Sequence, residues 1–264
     1  MKEIKILKKP LFWLILILIL VWVAVFSLPD NRLHLVFCDV GQGDAILISF
    51  QKTQILIDGG PDNRVLSCLS HHLPFWDRKI EIVILTHPEE DHFGGLVDAI
   101  KRYSVRYLIA DSWPEAEQKT ISLRAGDEIR LDKLKFSVLW PKEINQEGKL
   151  NENSLVLKLA FGSFCALLTG DISSKTEDRL DEIGPCQVLK VAHHGSKYST
   201  SQFFLQKVKP QLAVISVGKN RFGHPTEEVI KRLQDLDIKM LRTDKMGEIE
   251  IVSDGQRWHV KSTK

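Results

Sequence analysis

The chain has 264 residues, 44% of them hydrophobic and 27% charged, with a formal net charge of +2. That composition excludes an intrinsically disordered chain, and a charge so near neutral gives no sign of a nucleic-acid partner by itself.

Residues 1–10 form a short basic tail carrying Lys2, Lys5, Lys8 and Lys9. From Leu11 to Leu28 there is no charged residue, and eighteen helical positions span about 27 Å, close to the hydrocarbon thickness of a bilayer. The segment is expected to be a transmembrane anchor. A cleaved signal peptide is the alternative, but the apolar stretch is long for one and residues 23–28 lack a small-x-small cleavage site. The lysines before it, against Arg32 alone just after it, put the N-terminus in the cytoplasm and the rest outside. The expected localisation is the cell membrane, single-pass, with residues 33–264 as one extracytoplasmic domain.

Apolar strand-like runs follow at Leu33 to Phe37, Ala45 to Phe50 and Gln54 to Ile57. The rhythm then becomes strand, helix, strand: Ile80 to Leu85, Leu96 to Tyr103, Arg106 to Ala110. Strands are expected at 128–131, 134–139, 154–161 and 164–168. The last third alternates again, with helices at 176–183, 201–208 and 226–236 and strands at 187–191, 212–217, 239–242, 248–252 and 258–261. Strand runs with helices on outer faces suit a layered α/β sandwich. Cys38, Cys68, Cys165 and Cys186 have no zinc-ribbon or redox spacing and read as buried thiols; a disulfide is admissible outside the cell, without a pairing that sequence can choose.

Five of the nine histidines fall in turns that follow apolar strands. In the first, Thr86-His87-Pro88-Glu89-Glu90-Asp91-His92, imidazoles and carboxylates mix within a few residues, which suits a divalent metal better than a helix cap. Gly94-Gly95 is expected to turn the backbone before the next helix. Asp171 ends the run Leu167-Leu168-Thr169-Gly170, and a carboxylate there can bridge two metals. His193 and His194 precede Gly195-Ser196; adjacent strand residues point opposite ways, so unless the chain turns between them one is expected to ligate and the other to touch substrate. His224 follows Asn220-Arg221-Phe222-Gly223. Two further turns, Asp39-Val40-Gly41-Gln42-Gly43-Asp44 and Asp58-Gly59-Gly60, offer backbone N–H groups for an anion or are plain hairpin chemistry.

Together these motifs resemble the metallo-β-lactamase superfamily, and more narrowly the hydrolase domain of ComEC-like competence proteins, from about Leu33 to the end of the chain. The resemblance implies a four-layer αββα sandwich holding two divalent metal ions, manganese or zinc, with magnesium admissible. Implied metal ligands are His87, Glu89, Asp91, His92, Asn153, Asp171 and His193 or His224, with Asp58 orienting the ligand loop. Asp91, Asp171 and His194 are the implied catalytic residues. Asp39, Gln42, Gly43, Asp44, His194, Ser196 and Asn220 are the implied substrate contacts. Glu89 stands where the superfamily has its second histidine, which enriches the first site in oxygen and favours manganese.

The reaction implied is phosphodiester hydrolysis by a metal-bridging hydroxide. Single-stranded DNA is the leading substrate and a DNA-uptake channel protein the expected partner. A phosphorylcholine-esterase-like or lactonase-like hydrolase of small envelope esters, and a non-catalytic binding module, stand as the alternatives.

Overall fold

The computed structural model describes residues 10–26, 29–113, 119–144, 150–181 and 183–262. The chain divides into two compact units, Met1–Asp30 and Asn31–Lys264. The first contains α1 (Pro10–Phe26), 17 residues without a charge. Among the described residues no helix is long and apolar enough to cross a membrane. Residues 1–9 of the basic tail and 27–28 of the expected span lie outside the described residues.

In the second unit, β1 (Leu33–Phe37), β2 (Ile46–Phe50) and β3 (Thr53–Ile57) form an antiparallel meander. Then α2 (Arg64–His72) leads to β4 (Lys79–Ile84), and α3 (Glu90–Arg102) to β5 (Ser104–Ile109), both strands parallel to β3. A second sheet starts with β6 (Glu128–Leu131), β7 (Leu134–Trp140), β8 (Val156–Phe161) and β9 (Phe164–Leu168), all antiparallel. After α4 (Ser174–Glu177) come β10 (Val188–Lys190), α5 (Gln202–Val208), β11 (Leu212–Ile215), α6 (Glu227–Asp235) and β12 (Lys239–Arg242), these strands parallel to β9. A one-turn helix, α7 (Thr243–Met246), leads back to the first sheet through β13 (Ile249–Ser253) and β14 (Trp258–Ser262). The sheets run β14-β13-β1-β2-β3-β4-β5 and β12-β11-β10-β9-β8-β7-β6.

Strand alternation builds the layers. Leu35, Phe37, Ile48 and Ile82 of the first sheet meet Phe136, Leu157, Leu159 and Val214 of the second in a shared apolar interior. Their neighbours Val36, Leu47 and Val83 point outward and are covered by Val65 and Leu69 of α2 and Leu96 and Ala99 of α3. Leu167, Leu189 and Ala213 are covered in the same way by Phe204, Leu205, Val229 and Leu233 of α5 and α6. The architecture is the expected αββα sandwich.

Three local expectations are corrected. Helix α3 begins at Glu90 rather than Leu96, so Gly94 and Gly95 lie inside it and turn nothing. They are glycines because a Cβ on them would stand 2.2 Å from the Pro61 carbonyl oxygen and 2.1 Å from that of Gly59, where α3 crosses the Asp58-Gly59-Gly60 turn. The helix expected at 176–183 is the single turn α4. The cysteines are not thiols: Cys38 pairs with Cys68 and Cys165 with Cys186, each tying a strand to a neighbouring segment.

Candidate metal centre

Every candidate ligand but Asn153, which precedes β8, follows the carboxyl end of a strand. β4 delivers Thr86 and His87, and the chain then enters α3, whose first turn carries Asp91 and His92. β9 ends at Gly170-Asp171, with Gly170 at φ 51° beneath the Ser154 side chain. Past β10, His193 and His194 form a tight turn, both left-handed at φ 50° and 53°. Extended-strand alternation therefore does not apply to this pair.

His87, His92, Asp171 and His194 are each 2% exposed or less. The Nε2 atoms of His92 and His194 lie 3.4 and 3.3 Å from Asp171 Oδ2, and His194 Nε2 lies 3.3 Å from Asp91 Oδ2. Their other ring nitrogens are engaged from behind. His92 Nδ1 meets Asp58 Oδ2 at 2.8 Å, His194 Nδ1 the Ser216 carbonyl at 2.9 Å, and His87 Nδ1 the Thr86 hydroxyl at 3.1 Å. Asp58 also accepts from the Thr86 N–H and hydroxyl, so the hydroxyl proton is committed and His87 Nδ1 must donate. All three rings thus carry a proton on Nδ1 and turn Nε2 inward, the atom that a metal would take. Those three buried Nε2 atoms have no hydrogen-bond partner.

A buried ring nitrogen without a hydrogen-bond partner is costly, and three of them grouped about a carboxylate fit a divalent metal. His87, His92 and Asp171 form one group within reach of a common ion, and Asp91, His92 and His194 another. A nitrogen lone pair binds one ion, so His92 serves one of the two groups. Burial opposes charge on His92 and His194, but Asp171 with Asp58 and Asp91 overcomes it. His92 is raised well above the ordinary imidazole value and His194 to about 10. Burial likewise opposes ionisation of Asp91, yet His194 and His92 pull it down to about 2; Asp171 is also held well below the usual carboxylate range.

The remaining expected residues divide clearly. Glu89 sits at the rim, its Oε2 3.8 Å from His87 Nε2. Asn153 shares a cavity wall of about 440 Å³ with Thr86 and His87. A second cavity of about 500 Å³ opens over the site and is lined by Gln42, Asp91, His193, His194, Phe222 and His224 among others. His193, a third exposed and 4.0 Å from Asp171 Oδ2, faces this cavity, while His194 takes the buried position 3.3 Å from the same oxygen. Burial lowers the His193 imidazole and pushes His224 down to about 4.

Asp44, Ser196 and Asn220 are each engaged within the protein. Asp44 is buried beneath the site, with Oδ2 against Lys190 Nζ and its N–H given to the Asp91 carbonyl at 3.1 Å. Ser196 is 3% exposed, its hydroxyl turned to the Tyr198 N–H. Asn220 uses both ends of its amide to brace the loop: it donates to the Gly218 and His224 carbonyls and accepts from the Phe222 and His224 N–H groups. Gly43 serves close approach, since a Cβ there would stand 2.2 Å from the Asp91 carbonyl oxygen. Asp39 lies among the charges that hold the Arg64 guanidinium ionised.

Sequence reasoning assigned no role to Lys190. This fully buried ammonium donates to the Gly170 carbonyl at 2.8 Å, lies 3.2 Å from Asp171 Oδ1 and pairs with Asp44. It leaves Asp171 Oδ2 as the oxygen that faces the histidines. Its signal was a lone charge in the strand Val188-Leu189-Lys190.

The metallo-β-lactamase superfamily model matches residues 38–158. The chain is 33% identical over 251 residues to ComE operon protein 3 of Bacillus subtilis, covering 80% of this chain and 32% of that protein. It is 32% identical over 238 residues to competence protein ComA of Neisseria gonorrhoeae, covering 85% and 33%. The chain carries a metallo-β-lactamase domain of the ComEC-like branch. It spans about a third of the length of these curated relatives. Among solved structures, the diiron β-hydroxylase CmlA from Streptomyces venezuelae superposes with a TM-score of 0.57 at 14% identity, covering 84% of this chain and 54% of that one. That likeness concerns the fold alone. The chain is a metal-dependent hydrolase by superfamily.

Proposed function

We propose that this chain is a membrane-anchored, extracytoplasmic phosphodiesterase that cleaves DNA, with single-stranded DNA as first substrate. The observation that carries the reading is the convergence of the buried, unpartnered Nε2 atoms of His92 and His194 on Asp171 Oδ2 beside Asp91, with His87 in the same potential ligand group, beneath an open cavity. His87, His92, Asp91, Asp171 and His194 would hold the metal, with Glu89 and Asn153 completing the side nearer His87. The mixed nitrogen and oxygen donor set suits manganese or zinc. A bound divalent ion supplies Lewis-acid polarisation of a phosphoryl oxygen and activation of water near neutral pH.

The chain's own residues do the rest. Asp58 fixes the His92 tautomer, and Lys190 orients Asp171. His193, with its imidazole neutral and facing the cavity, is placed to contact a phosphate oxygen or the leaving group. Gln42, Arg64 and Lys219 line the same cavity and can orient an anionic substrate. The charge-free α1 after a lysine-rich tail supports the anchor, and two disulfides suit an oxidising exterior. A DNA-uptake channel protein is the proposed partner, on the likeness to competence proteins.

The test is a matrix of manganese, zinc and magnesium against single-stranded DNA, RNA and a simple phosphodiester, using the purified full chain and Asp171→Ala. Cleavage of DNA that needs added metal and is lost in Asp171→Ala is expected. Turnover of small esters with none on DNA would overturn the nuclease reading.

A further inference from the structure

The domain has two ends. Asp44, Asp58 and His87 of the site follow the carboxyl ends of β1, β3 and β4, whereas the chain enters from α1 at the opposite end, where Asn31 precedes β1. That entry end also carries the β2–β3 turn, the loop joining α2 to β4, and the end of α3. Contacts bind these segments together. Gln51 Nε2 donates to Asn31 Oδ1 at 3.0 Å, Gln54 Nε2 to Asp77 Oδ2 at 3.1 Å, and the Ser104 N–H to the Arg78 carbonyl at 2.8 Å.

On this end Phe75 is 76% and Trp76 46% exposed, adjacent in one loop with ring centroids 4.8 Å apart. A single exposed aromatic needs no explanation, but two large rings on one loop tip do. Lys52, Arg78, Lys101 and Arg102 are exposed on the same end. The nearby carboxylates are engaged within the domain: Asp77 by Gln54 and the Lys79 N–H, Glu81 by the Lys79 ammonium and the Gln54 N–H. The end therefore presents apolar rings within a cationic surround.

We propose that this end is a membrane-facing surface, with Phe75 and Trp76 seated at headgroup level and the four basic side chains meeting anionic lipid headgroups. The proposal rests on α1 being the anchor. Aromatic rings with a polar edge favour the bilayer interface, and basic side chains beside them are attracted to anionic lipid. The chain joins the domain from its apolar helix at this same end, and that decides the occupant in favour of lipid over a protein partner. One consequence is that the candidate metal centre faces away from the membrane, a strand length of about 20 Å from the docked edge.

The experiment uses the full chain reconstituted into phosphatidylglycerol–phosphatidylcholine vesicles whose acyl chains carry bromine close to the headgroups. Tryptophan emission is compared for the native chain and Trp76→Phe, with flotation on a density gradient as the second readout. Trp13 and Trp22 of α1 are common to both proteins, so the difference isolates Trp76. Both proteins are expected to float, and the native chain is expected to lose a quenched component that Trp76→Phe lacks. That component should be smaller on purely zwitterionic vesicles and smaller again in Lys101→Glu/Arg102→Glu. Flotation of both proteins with equal quenching overturns the docked face and leaves the anchor standing, as it would if a protein covered this end. Failure to float overturns the anchor and the docked face together.

Discussion

The tautomer of His92 is set from behind, and that makes Asp58 the most testable residue that is not itself a ligand candidate. Its two oxygens receive three donors, from the Thr86 N–H, the Thr86 hydroxyl and His92 Nδ1. Asp58→Asn keeps the shape but offers a single acceptor oxygen, so at least one donor is left facing an amide N–H₂. Affinity for manganese, read by competition with a chelating dye, is expected to fall about 10- to 100-fold while circular dichroism is unchanged. Unchanged affinity would remove Asp58 from the site.

Lys190 makes the complementary case. Lys190→Met strands Asp44 and Asp171 in the interior, and breaking a buried pair in this way costs about 3–5 kcal/mol, measurable by urea unfolding. Adding Asp44→Asn should recover part of that loss; no recovery would mean that Asp44 is not the principal partner. These residues also mark the limit of legibility at this scale. His87, Asp91, His92 and Asp171 stood out in the sequence because imidazoles and carboxylates cluster just past apolar strands. The roles of Lys190 and Asp44 depend on contacts 146 positions apart along the chain. His193 and His194 sit in a turn of two left-handed residues, so the opposite-face rule for adjacent strand residues does not set their directions.

At the scale of elements, periodicity was a sound guide wherever one face packs and the other does not. β1, β6, β9 and β12 have the expected bounds, and the other expected strands shift by one or two residues at either end. The failures have local causes. α2 went unread because its short apolar stripe follows a Pro- and Asp-containing turn that resembles loop. α4 stops after one turn, where Glu177 leaves the helix pattern to accept from the Thr200 and Ser201 N–H groups ahead of α5.

Burial raises the Glu177 carboxyl from 4.5 to about 7, against the pull of those N–H groups. Below pH 4.5 the group is protonated in both states and its contribution is fully present. Between 4.5 and 7 the unfolded chain ionises while the folded chain holds its proton, so stability falls as pH rises. The whole effect is about 3 kcal/mol at most. Urea unfolding at pH 5 and pH 7 should show that decline in the native chain and its absence in Glu177→Gln. Equal slopes in the two proteins would mean that Glu177 is ionised in the fold.

For the whole molecule, the sandwich brings the strand ends of two sheets to one edge, but that does not choose a reaction. The CmlA β-hydroxylase superposes on the same fold and is named for a diiron centre, so chemistry here follows from the donors rather than the layers. In this chain those donors hold protons that a metal must displace, since Asp171 and its neighbours keep His92 and His194 raised. Binding at both Nε2 atoms releases up to two protons, so metal affinity rises with pH, by about 10- to 100-fold per unit while both remain protonated. An ion held by the folded state alone stabilises it by about 4 kcal/mol at a thousandfold excess over its Kd. For a domain of this size that is a rise in Tm of roughly 8–16 °C. Thermal unfolding with manganese against chelator should therefore show a shift that is larger at pH 8 than at pH 6, and none at either pH in Asp171→Ala. A shift of equal size at both pH values would mean that the ion does not compete for the His92 and His194 protons, and would move the metal site elsewhere.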